Sequence, residues 1–195
     1  MYIFQSKNIL SRLPDNSDIL KLIEWYRDEK HIEFVAGNIF HSSSKLTETF
    51  KRTIEKSHKK IPEELLLICE QKKDSEPVGY FYYPHINWIG RSAEIQIATD
   101  LNFRNNAYGI ETALLSFVFA FKVLNLQSVY MTIYSDNKVM KRMLERVNFE
   151  KCGTLKQHVY KNGSMVDMNM YHGSASLISE VNKLSRAIRL FELDV

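Results

Sequence analysis

The chain has 195 residues, of which 45% are hydrophobic, and it carries a formal net charge of +3 at pH 7. This length and composition predict one domain with a substantial core, and so small a net charge gives no support for binding to nucleic acid or to an anionic membrane. Its two cysteines, Cys69 and Cys152, show neither a disulfide framework nor metal-ligand spacing, so we expect no metal site and a reducing, cytoplasmic location.

The first third of the chain predicts one strand and two helices. The strand covers residues 8–13, ends at Pro14, and is followed by a helix over residues 17–30. The apolar side of this helix is Ile19, Leu20, Leu22, Ile23 and Tyr26. A second helix is predicted over residues 46–58, and its many lysines indicate a solvated face. The start of the chain lacks the apolar run of a signal peptide, and no stretch has the length of a membrane span.

Three strands are predicted next. Residues 65–69 are a continuous apolar run, which is typical of a buried strand. A second strand over residues 78–83 leads into a short loop, and a third strand covers residues 93–99. Strands joined by so short a connection are expected to pair in antiparallel fashion.

A short polar loop joins the third strand to a long apolar helix. The helix is predicted to begin near Tyr108 and Gly109, and apolar residues recur at helical spacing through Phe121 on most of its sides. The first amides of a helix have no intrahelical partner and lie at the positive end of the helix dipole. The loop over residues 104–109 therefore predicts an anion site, especially for phosphate.

The last part of the domain predicts a strand, a helix and a hairpin. The strand covers residues 128–134 and should pair in parallel with the strand before the long helix, through a right-handed crossover. A helix over residues 137–147, capped by Ser135-Asp136, follows it. The hairpin joins residues 149–160 to residues 165–171 around an Asn-Gly turn.

The tail after the hairpin has its own apolar pattern. Apolar residues recur at spacings of four and three in a coiled-coil-like seam, namely Leu177, Val181, Leu184, Ile188 and Phe191. We divide the chain into a domain over residues 1–173 and a helical tail over residues 174–195, with the tail helix beginning at Ser176. The tail packs either on its own chain or on a second subunit, which would make a homodimer.

Three segments resemble the GNAT superfamily of N-acetyltransferases. Arg104-x-x-Ala107-x-Gly109 is similar to its Arg/Gln-x-x-Gly-x-Gly/Ala loop, with alanine in place of the first glycine. The run from Asn137 to Phe149 is similar to its C-terminal pattern, except that Leu144 replaces a tyrosine and Asn148 replaces a glycine. Residues 10–29 resemble the opening of the ribosomal-protein alanine and spermidine N-acetyltransferase branches.

The resemblance implies a fold and a co-substrate. The implied fold is an α/β (α+β) one, with a mixed, mostly antiparallel central sheet of about seven strands flanked by helices. The implied co-substrate is acetyl-CoA, with its pantetheine arm along the backbone of Ile97, Ala98 and Thr99. The residues implied to hold the remainder of the coenzyme are Arg104, Asn105, Asn106, Ala107, Tyr108, Gly109, Ile110 and Asn137.

Glu94 and Tyr134 are the candidate catalytic residues. Because side chains alternate along a strand, Glu94 lies on the face opposite Ala93 and Ile95. Burying a carboxylate on a central strand is energetically unfavourable unless the group is paired or hydrated. Glu94 is therefore either a general base or a buried carboxylate satisfied by Arg91 or by a helix. In the resembling family, the tyrosine at the position of Leu144 is thought to protonate the departing thiolate, which leucine cannot do. Tyr134 ends its strand where coenzyme and acceptor should meet, and it could supply that proton instead.

Four aromatic or imidazole side chains are candidates for binding the acceptor, namely Trp25, Tyr82, His85 and Trp88. His85 and Trp88 lie on the loop after the second of the three strands, and Tyr82 leads into it. The alternative for these three is that they only pack within the hairpin.

The leading hypothesis is an acetyl-CoA-dependent N-acetyltransferase that acts on a primary amine. A protein N-terminus, a polyamine, an aminosugar and another small amine all remain open as acceptors. The runner-up is a non-catalytic acyl-CoA-binding module that senses or scaffolds, because the usual tyrosine is missing. Nucleotide binding is a weaker third option, since no Lys-Ser/Thr follows the loop.

Overall fold

The computed structural model describes residues 2–27, 41–103, 107–161 and 163–187. Its helices are α1 (Ile19–Arg27), α2 (Ser43–Ser57), α3 (Tyr108–Val118), α4 (Lys138–Arg146) and α5 (Ile178–Ala187). Its strands are β1 (Tyr2–Gln5), β2 (Ile9–Arg12), β3 (Leu65–Gln71), β4 (Pro77–Tyr83), β5 (Ile86–Asn87), β6 (Ser92–Glu94), β7 (Gln96–Thr99), β8 (Ser128–Tyr134), β9 (Glu150–Lys161) and β10 (Ser164–Ser174).

Within these residues the strands form two five-stranded sheets. The first has the order β1-β2-β3-β4-β7 and is antiparallel throughout. The second has the order β5-β6-β8-β10-β9, in which only the β6–β8 pair is parallel. The mixed, mostly antiparallel class is confirmed. The strand count exceeds the expected seven because one predicted strand is divided and β1 and β5 were not predicted.

The divided strand is the one predicted over residues 93–99. Its first part, β6, pairs in parallel with β8, whereas its second part, β7, pairs with β4 in the other sheet. Ile95 lies between them, and its N–H donates to the carbonyl of Tyr130 at 2.9 Å. Beyond that bond β7 and β8 have different partners, so the two strands diverge.

The helix α3 forms the centre of the core. It packs on β2, β4 and β7 and is buried from Glu111 through Val118. A π-helical segment, Phe119–Val123, continues it and brings Phe119 against Phe81 and Tyr83. The connection from β6 through α3 to β8 is the predicted parallel crossover.

The helices α1 and α2 pack together on the opposite face of the first sheet. Leu22 and Trp25 form a small buried cluster there with Leu66 and Ile68 of β3. The prediction that Leu20 belongs to the apolar side is wrong, because this side chain is 80% exposed. None of the helices in the described ranges is long and apolar enough to cross a membrane.

The helix α4 follows β8 directly. Its N-cap is Asn137, whose side chain accepts from the Met140 amide at 3.1 Å, and not the predicted Ser135-Asp136. Leu144 is fully buried, whereas Val139 of the same helix is 72% exposed. Asn148, directly after the C-cap Val147, has a φ of 60°, the left-handed conformation that asparagine tolerates.

The hairpin and the tail complete the domain. β9 and β10 pair across a turn in which Gly163 has a φ of 81°, and Asn162 lies outside the described residues. The tail helix α5 packs on α3 of the same chain, and Val181 is fully buried in the main core. Ile188 and Phe191 of the predicted seam lie outside the described residues.

A buried carboxylate fixes the start of α3. Glu111 is fully buried, and its oxygens accept from the Ser6 hydroxyl at 2.5 Å and from the backbone and side-chain nitrogens of Asn8 at 2.8 and 2.9 Å. These bonds attach the β1–β2 turn to the first turn of the helix, whose dipole also favours a negative charge at this end.

We predict that Glu111→Ala lowers the free energy of unfolding by about 1.5–3 kcal/mol, because it leaves buried donors without an acceptor. The measurement is chemical denaturation, with Glu55→Ala as the control, since Glu55 is an exposed helical residue. Equal stability of the two variants would show that these hydrogen bonds do not hold the helix.

Candidate active site

A cavity of about 350 Å³ lies at the point where β7 and β8 diverge. Glu94, Gln96 and Ile97 form one side of it, and the end of β8 with the start of α4 forms another. The helices α1 and α2 and the half-buried face of β4 close the remaining wall. The described lining residues from those elements include Leu22, Tyr26, Leu46, Phe50, Thr53, Tyr80 and Tyr82.

Glu94 is half-buried and lines this cavity. The side-chain amide of Gln96 donates to its Oε1 at 3.1 Å, as the shared strand face suggested. Arg91, considered as its partner, instead donates to the backbone carbonyl of Asn125 at 2.6 and 2.9 Å. The carboxylate is therefore held in position by a neutral group and is available to a ligand in the cavity.

Tyr134, at the end of β8, lines the same cavity and is only 3% exposed. The ammonium of Lys161 lies 5.2 Å from the centre of its ring and forms an ion pair of 2.7 Å with Asp136. Burial, with a smaller contribution from Asp136, raises the pKa of Tyr134 above its ordinary value. The phenol therefore stays protonated at neutral pH and can donate a proton.

The start of α3 offers backbone amides that no side chain in the described part of the chain caps. Ala107 precedes the helix in a helical conformation. A Cβ at Gly109 would lie 3.2 Å from the Thr99 hydroxyl, so glycine allows the helix to begin close to β7. The Tyr108 hydroxyl donates to the side chain of Gln71 at 2.6 Å, and Ile110 packs against the core. Arg104, Asn105 and Asn106 lie outside the described residues.

The residues predicted to contact the pantetheine arm lie on β7. Ile97 and Ala98 pair with β4 through one edge of the strand, as does Thr99. In the described part of the chain no strand pairs with the opposite edge, which faces the divergence. Asn137 caps α4 and lines the cavity at the far side.

The acceptor residues predicted from sequence are not brought together. Tyr82 lines the cavity, and its hydroxyl donates to Glu64 at 2.5 Å. Trp25 is buried beneath the wall, where its indole N–H donates to Asp100 at 2.7 Å. His85 lines a separate, shallow cavity, and the Trp88 indole donates to the Pro62 carbonyl at 2.8 Å.

Several lining residues were missed by the sequence analysis, among them Phe50, Thr53 and Tyr80. The helix α2 was interpreted from its lysines alone. Leu46, Phe50 and Thr53 recur on one helical face, and that spacing would have identified the side turned to the cavity.

Comparison with known proteins identifies the family. The model of the acetyltransferase (GNAT) domain matches residues 12–170. The chain belongs to the GNAT acetyltransferase family. In sequence it is 26% identical over 102 residues to YoaA, an uncharacterized N-acetyltransferase of Bacillus subtilis. The aligned segment covers 52% of this chain and 58% of YoaA. The match thus spans less than two thirds of that relative.

Solved GNAT structures share the fold. The spermidine N-acetyltransferase of Vibrio cholerae, in complex with CoA and spermine, has a TM-score of 0.79 at 19% identity, and the alignment covers 88% of this chain and 98% of that one. RimL, a ribosomal L7/L12 alpha-N-protein acetyltransferase in complex with CoA, has a TM-score of 0.75 at 17% identity, covering 89% and 98%.

GNAT enzymes use acetyl-CoA as co-substrate, and the described residues fit it. The edge of β7 with which no described strand pairs suits an extended amide-containing arm. The uncapped amides at the start of α3 suit a pyrophosphate. The close approach of Gly109 to Thr99 brings the two features together. No group of acidic, histidine or cysteine side chains in the described part could hold a metal ion.

We predict that Gly109→Pro weakens acetyl-CoA binding at least about tenfold, because it removes one amide that would bond to a charged group. Gly109→Ala is the matched control, since it keeps the amide and its Cβ meets only a hydroxyl that can move. Calorimetry on both folded variants measures the difference. Equal losses of affinity would show that packing, and not the amide, matters at this position.

Proposed function

We propose that this chain transfers an acetyl group from acetyl-CoA to a primary amine bound between β7, β8 and the α1–α2 wall. The observation that carries the proposal is that Glu94 and Tyr134 line one cavity, next to the open edge of β7. A carboxylate and a protonated phenol on two sides of the same space are suited to remove one proton and to supply another.

The coenzyme is proposed to lie across the divergence. Backbone groups of Ile97, Ala98 and Thr99 bond to the pantetheine arm, and the amides of Tyr108, Gly109 and Ile110 bond to the pyrophosphate. Asn105, Asn106 and Ala107 belong to the same loop, in which Arg104 supplies the charge that the family motif assigns to it. Asn137 lies beside the thioester end of the arm.

Glu94 is proposed to act as the general base. A primary amine has an ordinary pKa near 10, so most of it is protonated at neutral pH and has no free electron pair. Glu94, oriented by Gln96, accepts the proton directly or through a water. The neutral amine nitrogen then attacks the thioester carbon and loses its second proton to water. The carbon–sulfur bond breaks, an amide forms, and Glu94 returns its proton to water.

Tyr134 is proposed to give its proton to the departing sulfur and to recover a proton from water afterwards. Leu144, which occupies the position of the usual tyrosine, is fully buried in the core and cannot take part. Tyr134 has the protonated hydroxyl that the step needs and lies in the cavity.

The acceptor is proposed to bind at the α1–α2 side, where Tyr82 contributes to the wall. The solved neighbours act on spermidine and on a ribosomal protein, so a polyamine and a protein N-terminus are alternatives alongside an aminosugar or another small amine. A role for Trp25, His85 or Trp88 in acceptor binding is less well supported, since none of them lines this cavity.

We also propose a cytoplasmic location, because Cys69 and the exposed Cys152 are both free thiols. A homodimer remains part of the proposal, but its surface would lie elsewhere than the described tail, which packs on its own chain.

The test is an assay of free thiol with saturating acetyl-CoA and a broad panel of amines, with the acetylated product identified by mass spectrometry. We expect thiol release that depends on the amine. If the protein binds the coenzyme and acetylates no amine, the runner-up, a non-catalytic acyl-CoA-binding module, replaces the enzyme. If ATP or NAD binds and acetyl-CoA does not, the nucleotide-binding alternative is correct.

We predict that Tyr134→Phe lowers kcat by about 10²–10⁴ and leaves the affinity for acetyl-CoA nearly unchanged, since only a proton donor is lost. Steady-state kinetics and calorimetry give the two quantities. Tyr160→Phe is the control, because Tyr160 is 72% exposed on β9. A Tyr134→Phe variant with full activity would rule out this residue as the acid.

We predict that Glu94→Gln lowers kcat/KM by about 10²–10⁴ near pH 7 and that the loss shrinks as the pH rises toward the pKa of the amine. At high pH the amine deprotonates in solution and needs no base. The measurement is a pH profile of both proteins with one amine. A defect that stays constant from pH 7 to 10 would assign Glu94 a positioning role instead.

A further inference from the structure

A buried carboxylate joins α1 to the turn that follows β7. Asp100, the residue directly after β7, is 4% exposed. Its Oδ2 accepts from the Trp25 indole N–H at 2.7 Å and lies 2.8 Å from the ammonium of Lys21, and both of these donors belong to α1. Its Oδ1 accepts from the Asn102 backbone amide at 2.9 Å. Burial raises the pKa of Asp100, but these three bonds outweigh burial, so the pKa lies below its ordinary value and the group is ionised at neutral pH.

On one side, Asp100 leads to the proposed coenzyme site. Residues 101–103 form a short 3-10 turn, and the Phe103 amide donates to the Asp100 carbonyl at 3.0 Å. The Phe103 ring meets the Tyr108 ring edge to face, with ring centres 5.5 Å apart. Tyr108 is the first residue of α3, and its amide is one of those proposed to bind the pyrophosphate. Asp100 therefore supports the start of the coenzyme site through contacts among described residues.

On the other side, Asp100 leads to the acceptor wall. Leu22 and Tyr26 line the cavity, and in sequence they directly follow the two α1 partners of Asp100. Trp25 packs in the same buried cluster as Leu22. Its ring centre lies 5.8 Å from that of Tyr80, which also lines the cavity. The bonds to Asp100 therefore fix the part of α1 that forms the wall.

Acetyl transfer depends on the distance between these two sides. The amine nitrogen must come within about 3–3.5 Å of the thioester carbon, and a misplacement of about 1 Å can lower the rate about a hundredfold. The two reactants are proposed to bind to different elements, the amine at the α1–α2 wall and the coenzyme at β7 and α3. One ionised carboxylate bonds to both elements, and hydrogen bonds to a charged group are stronger than neutral ones.

We propose that Asp100 is a positioning residue for acetyl transfer, which holds the α1 part of the acceptor wall at a fixed distance from the start of the coenzyme site. The proposal rests on the proposed function, since it concerns the placement of the same two reactants. It predicts that changes at Asp100 or at Lys21 slow turnover in a protein that remains folded.

The first test is Asp100→Asn, which keeps the shape of the side chain. Asparagine has only one acceptor oxygen, so it can serve α1 or the Asn102 amide but not both. The two α1 donors, one of them charged, will hold that oxygen and leave the turn without its acceptor. We expect the affinity for CoA, measured by calorimetry, to fall at least about threefold and kcat at least about tenfold.

Asp18→Asn is the matched control. Asp18 is also a buried carboxylate, and it accepts from the guanidinium of Arg12 at 2.7 Å and from the Asp15 backbone amide at 2.8 Å. The same substitution thus removes a charge that is paired with a cation and a backbone amide, but these bonds join the start of α1 to β2. We expect the CoA affinity and kcat of this variant to stay within about twofold of wild type.

The second test changes only the α1 side. Lys21→Met removes the ammonium and leaves the bond from Asn102 to Asp100 in place. We expect kcat to fall at least about fivefold while the CoA affinity stays within about twofold, because the turn keeps its acceptor. Lys21→Arg restores a cation that can bond to Asp100, and it is expected to recover most of kcat.

For these variants kcat is measured with whichever of spermidine, glucosamine and dialanine gives the fastest thiol release with wild-type protein. The proposal is overturned if folded Asp100→Asn keeps the wild-type kcat, or if Asp18→Asn loses as much CoA affinity and kcat as Asp100→Asn does. In both cases the proposed function stands. If wild-type protein acetylates no amine, the proposed function fails, and the CoA affinities of Asp100→Asn and Asp18→Asn then decide whether Asp100 positions the coenzyme site.

Discussion

The exchange of strand partners at Ile95 is the constraint on which the remainder of the structure depends. Up to this residue the chain pairs with β8, and directly after it the chain pairs with β4. The bond from the Ile95 amide to the Tyr130 carbonyl is the last one before the strands separate. No described strand supplies ladder hydrogen bonds to the edge of β7 that faces the divergence. Buried backbone polar groups are energetically unfavourable when they have no partner. An extended ligand rich in amides can supply that partner.

The same divergence determines which side chains meet. On one face of the first sheet, α3 begins beside β7 and presents its uncapped amides, and Glu111 fixes that beginning to the β1–β2 turn. On the other face, α1 and α2 cover β3 and β4 and make the apolar wall. Glu94 ends β6 just before the separation, Tyr134 ends β8, and both line the cavity. The proposed sites of coenzyme binding, proton transfer and acceptor binding thus lie around one opening.

Local patterns in the sequence predicted the parts that local physics determines. β8 and the start of α3 were correctly placed, because β-branched alternation and apolar periodicity are local signals. The division at Ile95 was not predicted, since residues 93–99 have strand propensity throughout and only tertiary pairing separates them. In the same way, Trp25 was assigned to the acceptor site from its position in α1, but its bond to Asp100, 75 residues away, is invisible in a local pattern. The contribution of α2 to the cavity wall was not predicted, because the helix was interpreted from its lysines and its apolar face was not considered.

The claim that coenzyme occupies the divergence between β7 and β8 is tested most directly by hydrogen exchange of the backbone amides with and without CoA. The account predicts that peptides covering residues 96–99, 107–111 and 131–134 gain protection when CoA is added, while the exposed strand β9 does not change. Protection confined to other parts of the chain, under conditions in which CoA is bound, would contradict it.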